Sequence, residues 1–248
     1  MNQLQLCRYE DGQTMGAAAA KRVAAIIRTA CAERGEARVI FACAPSQDDF
    51  LAALIGAEID WSKLVIFHMD EYVGLPAAHP QSFRTYLRAH LLSRIPKPRA
   101  LHLIGADAPE PERECERYAA LLSEKPIDLV CMGIGENAHI AFNDPPVADF
   151  HDPRLIKIVE LDAACRQQQV HDGCFPALAD VPAHALTLTI PALLGAHHIS
   201  CVVPGERKAR AVRDTLRGPV STACPASILQ THRDAFLHID SAAGSLLD

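Results

Sequence analysis

The sequence predicts an α/β protein with a mainly parallel sheet and helices on both faces of that sheet. Short apolar segments alternate along the chain with longer amphipathic segments, which is the pattern of β-α-β crossovers. The apolar segments read as strands buried on both faces, which is typical of parallel sheets. The chain has 248 residues, of which 49% are hydrophobic and 22% are charged, and this composition is ordinary for a globular fold.

Each element follows from local signals. Thr14 is expected to cap a first helix that crosses the alanine-rich segment and ends near Gly35. Strands are predicted at 38–43, 64–68, 101–104, 127–132, 155–161, 199–203 and 235–239. Helices are predicted at 50–55 after Asp48 and Asp49, at 83–95 after Ser82, at 112–124, at 206–216, and as a short turn at 226–230. Since no linker or internal repeat is visible, we expect one domain over residues 1–248.

Composition and charge argue against several classes of function. A net charge of -6 gives no general attraction to nucleic acid or to anionic membranes, and only 5% of the residues are aromatic. No signal peptide or membrane-spanning segment is recognisable, and the nine cysteines are scattered without C-x-x-C spacing. We therefore expect a cytoplasmic protein with reduced cysteines, no bound metal and no membrane or nucleic-acid partner.

Ligands of open α/β sheets bind at the carboxyl ends of the strands. Four loops at such positions carry polar residues, and the first holds the adjacent carboxylates Asp70 and Glu71. Adjacent residues point in different directions, so one carboxylate can face a pocket while the other faces its own loop. A carboxylate at this place can act as a general base, although a solvated turn ended by Gly74 and Pro76 explains the pattern equally well.

The second loop, residues 133–146, is rich in glycine and contains His139. Its start matches the G-x-G-x-x-A pattern of dinucleotide-binding folds. However, Pro145 and Pro146 prevent the long helix that such a site needs. The better interpretation is an acid–base loop, in which His139 shuttles a proton and Asn137 and Asp144 orient its ring.

Two further loops are candidates for anion binding. Lys208 follows an apolar strand and can meet an anionic substrate, or it can belong to a solvated helix face. Ser46 and Gln47 lie before a helix, where folds of this kind commonly bind phosphate. Asp48 and Asp49 already place negative charge at that helix end and would compete with phosphate, so a simple helix cap is an equally good explanation.

Taken together, three motifs resemble a known family. They are residues 67–76 (FHMDEYVGLP) with Ser82, residues 139–145 (HIAFNDP), and residues 185–187 (ALT) with Gly205 and Lys208. The chain resembles the glucosamine-6-phosphate deaminases over most of its length. The related 6-phosphogluconolactonases share the fold and the histidine loop, but they lack the combination of the first two motifs.

The resemblance implies a Rossmann-like, doubly wound fold and a metal-free, cofactor-free aldose–ketose isomerisation with loss of ammonia. The substrate would be glucosamine 6-phosphate or a close epimer. Asp70 would move a proton between C2 and C1, while His139 would open the pyranose ring with the support of Asp144 and Asn137. Lys208 would bind the phosphate. Further contacts with the substrate are expected from four residues: Ser46, Gln47, Glu71 and Gly135.

The chain departs from the family pattern in its phosphate-binding groups more than in its proton-transfer groups. Asn137 replaces an acidic residue, and Asp144 replaces a glutamate. Residues 45–49 (PSQDD) replace a Gly-Gly-Thr-type loop, and the arginine that the family places upstream of the Ala-Leu-Thr strand has no clear counterpart near residues 171–173.

Three functions are consistent with the sequence. The leading one is an amino-sugar phosphate deaminase/isomerase, which is expected to bind a small sugar phosphate and to form a homo-oligomer as relatives do. A sugar lactone hydrolase would use His139 to activate water and would not need Asp70. A non-catalytic sugar-phosphate sensor would account for Asn137 and for the altered loop at 45–49.

Overall fold

The computed structural model describes residues 3–247. Ten strands are formed: β1 Gln5–Arg8, β2 Ala37–Phe41, β3 Leu64–His68, β4 Asp70–Tyr72, β5 Ala100–His102, β6 Leu129–Met132, β7 Ile156–Glu160, β8 His184–Leu188, β9 His198–Val203 and β10 Ala235–Ile239. In the same range, seven α-helices accompany them: α1 Gly12–Arg34, α2 Asp48–Ile55, α3 Phe83–His90, α4 Pro111–Ser123, α5 Ala163–His171, α6 Ile190–Leu194 and α7 Ala209–Arg217. The described cysteines are all free thiols.

The strands form two sheets. Seven strands make a wholly parallel sheet in the order β1-β10-β9-β6-β2-β3-β5. Three strands make a small antiparallel sheet in the order β4-β8-β7. The mainly parallel α/β class is thereby confirmed, whereas the antiparallel sheet was not predicted. One domain over residues 1–248 stays a prediction.

Alternate residues of the central strands pack into different hydrophobic layers. In β2, Val39 and Phe41 join the layer under α1 and α2, while Ile40 joins the layer on the opposite face. β3 and β6 alternate in the same way. Because both layers are apolar, these strands are hydrophobic over most of their length, Arg38 and His68 excepted, which is why they were predictable from apolar runs.

The seven predicted strands agree with the structure to within a few residues, but β1 was not predicted. The helix predicted at 206–216 forms a 3-10 turn over Glu206–Lys208 before α7, and two further helix signals differ. Helix α1 begins at Gly12 rather than near Thr14, because Asp11 is its N-cap and accepts a hydrogen bond from the Thr14 amide at 2.7 Å. Its end is as predicted, since Gly35 adopts φ 76° and closes the helix. The helix predicted at 83–95 ends at His90 and continues as a 3-10 turn over Leu92–Arg94.

Helix α3 is capped by a carboxylate from outside the helix. Ser82 occupies the N-cap position, but its hydroxyl donates to Glu71 Oε2 at 2.8 Å. The Glu71 carboxylate accepts hydrogen bonds from the backbone amides of Phe83 and Arg84, which have no partner within the helix, at 3.0 Å each, and from Arg84 Nε at 3.2 Å. Glu71 thus satisfies the helix terminus and a buried guanidinium together, and it joins β4 to α3.

Glu71→Gln is expected to lower the free energy of unfolding by roughly 1.5–3 kcal/mol, because it removes the buried carboxylate partner of Arg84 and leaves only the partly exposed Asp107. Urea denaturation of the two proteins measures the difference. Glu58→Gln, an exposed glutamate, is the matched control and should stay within about 0.5 kcal/mol of the parent. Equal stability of Glu71→Gln and the parent would contradict the assigned role.

Candidate active site

A cavity opens at the carboxyl edge of the parallel sheet, above the four adjacent strands β9, β6, β2 and β3. The loops that follow these strands supply most of its wall, as the general rule for such sheets predicts. Its polar lining residues are Ser46, Gln47, Asp70, His139, Gln168, Gln169 and Lys208, with Gly133 and Gly135 among the others. Six of the nine residues singled out from the sequence therefore meet in one cavity: Ser46, Gln47, Asp70, Gly135, His139 and Lys208.

The loop after β6 presents the imidazole of His139. Its Nδ1 lies 2.8 Å from Asn137 Oδ1 and 3.0 Å from Asp144 Oδ1. Both oxygens are acceptors, so they favour the tautomer with the proton on Nδ1. The Nε2 atom is then free to accept or return a proton. Asn137 and Asp144 lie behind the ring, outside the cavity wall, and support it as expected.

The backbone of this loop is folded tightly around the ring. Gly135 donates its amide to the His139 carbonyl at 2.9 Å. A Cβ atom on Gly135 would lie only 2.2 Å from Cε1 of His139, so no other residue fits there without moving the ring. Ala138 and Ala141 adopt positive φ values of 65° and 47° on either side of His139, which is strain of the kind found at functional sites.

Asp144 is the ionised partner of this histidine. Burial favours the neutral acid, but the hydrogen bond and charge of His139 and the Asn137 amide outweigh it, so the pKa of Asp144 is lowered. Asn137 donates its Nδ2 to Asp144 Oδ1 at 3.0 Å. Asn137 therefore bridges the histidine and the carboxylate, a role that an acidic residue at this position could not fill by donation.

Cys165, on α5, lies on the other side of Asp144. Burial, and then the neighbouring Asp144 carboxylate, raise the pKa of its thiol well above the ordinary value. The ligand atoms of His139, Asp144 and Cys165 lie within 4.8 Å of one another and could in principle hold a metal ion. We assign them to a hydrogen-bonded group instead, because Nδ1 and the carboxylate already satisfy each other and the thiol stays protonated.

Asp70 presents its carboxyl group to the cavity without a protein partner. It opens β4, where it pairs with Thr187 of β8, and it forms no side-chain hydrogen bond or ion pair with the described residues. Burial, and then the charge of Glu71, raise its pKa well above the usual range for aspartate. A carboxyl group in this state is suited to taking up and releasing protons.

Glu71 does not join its neighbour in the cavity. Its side chain is fully buried against Ser82, Phe83 and Arg84. The expectation that Glu71 contacts the substrate is therefore not supported, because every oxygen of its carboxylate is already bound within the fold.

Lys208 carries the positive charge of the cavity. The residue is 6% exposed, and its ammonium group forms no hydrogen bond or ion pair with the described residues. Burial lowers its pKa, while the charges of Asp172 and Glu136 act in the opposite direction. Among the described residues that line the cavity, it is the only lysine or arginine. Its surroundings favour an anion as the natural ligand.

The loop after β2 also lines the cavity. It does not place the negative charge there that the sequence led us to expect. Asp48 turns away from the cavity, where its carboxylate accepts from the Tyr86 hydroxyl at 2.6 Å and lies 3.0 Å from His90 Nδ1. Asp49 packs against Gly12 and Gly16 of α1. Neither carboxylate lines the cavity, so the expected competition with a bound anion does not arise there.

Ser46 and Gln47 remain as the polar groups of this loop. Gln47 donates its Nε2 to Ser46 Oγ at 3.2 Å and to the Val202 carbonyl at 3.3 Å. Its Oε1 is buried and has no hydrogen-bond partner among the described residues. Gln47 Oε1 is thus an unsatisfied acceptor beside the cavity, whereas the donor side of the amide is already used.

Gln168 and Gln169, both on α5, line the cavity but were not predicted. The segment shows little apolar periodicity, so the helix itself was missed. The run of three glutamines after Arg166 was the one feature of the sequence that could have indicated polar site residues here. Phe142 and Phe83 supply the apolar side of the cavity.

The fold and the cavity are those of an α/β enzyme. A buried carboxyl group, a hydrogen-bonded histidine and a lysine without a protein partner surround one small-molecule site. The sequence model described as glucosamine-6-phosphate isomerases/6-phosphogluconolactonase matches residues 10–237. The chain belongs to this family.

Named relatives agree with this assignment. The chain is 38% identical over 189 residues to a glucosamine-6-phosphate deaminase of Exiguobacterium sibiricum, covering 76% of this chain and 73% of that protein. It is 37% identical over 196 residues to a glucosamine-6-phosphate deaminase of Listeria monocytogenes, covering 79% and 81%.

Solved structures show the same fold. A monomeric glucosamine-6-phosphate deaminase superposes with a TM-score of 0.90 at 29% identity, over 98% of this chain and 100% of that one. A 6-phosphogluconolactonase from Shewanella baltica superposes with a TM-score of 0.78 at 19% identity, over 96% and 98%. The second similarity concerns the fold alone. No helix within residues 3–247 is long and apolar enough to cross a membrane.

Asp70→Asn is expected to raise the free energy of unfolding at pH 7 by about 0.5–2 kcal/mol. The raised pKa of Asp70 means that the unfolded chain ionises first as the pH rises, so the carboxylate costs stability above the ordinary aspartate pKa of about 3.9. Urea denaturation between pH 4 and 8 should show an advantage of the variant that grows with pH. The exposed Asp180→Asn is the control, and a constant difference across this range would contradict the argument.

Proposed function

We propose that this protein is an amino-sugar phosphate deaminase/isomerase, which converts glucosamine 6-phosphate or a close epimer into a ketose 6-phosphate and ammonia. One observation carries the proposal: a buried, unpaired carboxyl group, a hydrogen-bonded histidine and a buried, unpaired lysine line the same cavity. The names of the relatives and of the solved structure point to the same reaction.

His139 would open the sugar ring. With the proton held on Nδ1 by Asn137 and Asp144, Nε2 accepts the proton of the C1 hydroxyl and returns it to the ring oxygen as the C1–O5 bond breaks. The Asp144 carboxylate stabilises the imidazolium that exists between these two steps. Asn137 keeps the orienting hydrogen bond, which favours a working dyad over a non-catalytic sensor.

Asp70 would carry out the isomerisation. Its carboxylate removes the C2 proton of the open-chain amino aldose, and the electron pair moves through C1 to the carbonyl oxygen, which takes up a proton. The Asp70 acid then delivers a proton to C1, leaving an iminium group at C2. Water adds to C2, ammonia leaves, and a ketose phosphate results. A raised pKa suits a group that must be base and acid in turn.

Lys208 would hold the phosphate at the far end of the substrate, while Ser46 and Gln47 bind along its length. Gly135 contributes by letting His139 lie flat on the backbone rather than by touching the substrate. A cytoplasmic location and the absence of nucleic-acid and membrane partners remain part of the proposal, supported by the charge and composition of the sequence. A homo-oligomeric state is proposed only by analogy with relatives, one of which is monomeric.

Purified protein is expected to release ammonia and a ketose phosphate from glucosamine 6-phosphate, and Asp70→Asn should lower kcat by about 10²–10⁴-fold. A coupled ammonia assay measures the rate, and the distant Asp180→Asn variant should retain full activity. Hydrolysis of 6-phosphogluconolactone that survives Asp70→Asn, without any ammonia release from amino-sugar phosphates, would instead indicate a lactone hydrolase.

Lys208→Met is expected to raise KM for the sugar phosphate by roughly 10–150-fold, which corresponds to the loss of a charged hydrogen bond of about 1.5–3 kcal/mol. Because the ammonium lies away from the reacting carbons, kcat should change much less. Arg210→Met removes an exposed cation from the same segment and should leave KM unchanged. An equal effect of both variants would show that the charge acts only at long range.

A further inference from the structure

We propose that Gln169 completes the anion subsite, so that the substrate phosphate is held by one cation, Lys208, and one neutral amide. This inference rests on the proposed function and identifies a residue that determines how tightly the phosphate is bound. It concerns a helix, α5, whose polar face turns toward the cavity.

The two glutamines of α5 that line the cavity differ in how their amides are used. Gln168 Oε1 accepts the Glu136 amide at 2.8 Å, and its Nε2 donates to Asp172 Oδ2 at 3.3 Å. Both polar groups of the Gln168 side chain are therefore used within the protein. The Gln169 amide forms no hydrogen bond with a described residue, although the residue is only 9% exposed. A side-chain amide that has no protein partner and keeps its remaining exposure in a cavity is poised to bind a polar ligand.

The helical spacing directs Gln169 toward Lys208. Cys165 precedes it by four residues and Asp172 follows it by three, so the three side chains share one face of the helix. Both of these flanking residues lie close enough to Lys208 to act electrostatically on its ammonium group. Gln169 lies between them and lines the same cavity as Lys208.

A salt-bridge network fixes this arrangement. Arg207, the neighbour of Lys208 in the chain, lies 2.8 Å from Asp172 Oδ1 and 3.0 Å from Glu136 Oε1. The end of α5 is therefore tied to the turn that carries Lys208, and Gln168 ties the same helix to the loop after β6. These contacts fix the position of α5, and with it Gln169, relative to the turn that carries Lys208.

The charge of the subsite follows from this composition. A phosphate monoester carries nearly two negative charges at pH 7, while the described wall of the cavity offers one lysine and no arginine. The amide supplies N–H donors without a second positive charge. Phosphate affinity should therefore respond to the donors at position 169 and also to any charge introduced there.

The test compares Gln169→Met, which keeps the size of the side chain without its donors, with Gln169→Glu, which places a carboxylate at the same position. Gln167→Met is the matched control, since this glutamine lies on the same helix but does not line the cavity. Two readouts are measured for each protein: steady-state KM and kcat for glucosamine 6-phosphate, and the Kd of inorganic phosphate by titration calorimetry. Circular dichroism confirms that each variant is folded.

Gln169→Met should raise KM and the phosphate Kd by roughly 10-fold or more, with kcat within about threefold of the parent. Gln169→Glu should raise both constants further, and Gln167→Met should change neither. If Gln169→Met leaves both constants unchanged, or if the parent protein neither binds phosphate nor turns over the sugar phosphate, the inference is wrong. Phosphate binding that depends on Gln169 without any turnover would refute the proposed reaction while supporting the subsite.

Discussion

The site depends on the close approach of the His139 ring to the backbone of Gly135. The loop after β6 closes on itself through the Gly135 amide, and the ring occupies the space that any Cβ would fill. This contact holds Nδ1 against Asn137 and Asp144 and leaves only Nε2 available. The positive φ angles of Ala138 and Ala141 are the backbone cost of that geometry, which the packing of the surrounding loop offsets.

Asp70 and Glu71 show how two adjacent, chemically similar residues acquire opposite roles. Because β4 pairs with β8, successive side chains point to opposite sides. Glu71 faces α3 and is surrounded by donors, so it stabilises the fold as a carboxylate. Asp70 faces the cavity and has none, so its charged form is disfavoured. The same short strand therefore provides both the anchor of the loop and its reactive group.

Most of the parallel sheet and its polar loops were predictable because the central strands are apolar runs, visible without knowledge of their neighbours. The exposed edge strand β1 (QLCR) is not such a run and was not predicted. The small antiparallel sheet was not, because β4 has three residues and depends on pairing with β8 more than a hundred residues later. The direction of Asp48 was equally hidden, since it is set by Tyr86 and His90 on another helix. The helix that carries Gln169 gives no recognisable sequence signal, because a polar helix shows little apolar periodicity. What the sequence lacks in each case is the long-range contact.

The cavity keeps two buried charges apart from the groups that could neutralise them. Glu136 and Asp172 lie near Lys208, but Arg207 engages both of them, so the ammonium stays available. Glu71, beside Asp70, is paired with the cation Arg84, which also binds Asp107. Burial therefore lowers the pKa of Lys208 and raises that of Asp70, and each charge costs stability until a ligand meets it. An anion that binds Lys208 offsets that cost, and the difference appears as binding free energy. A substrate C–H group near Asp70 meets a base from which water has already been removed. The neighbouring salt bridges thus serve the site by keeping its own charges unpaired.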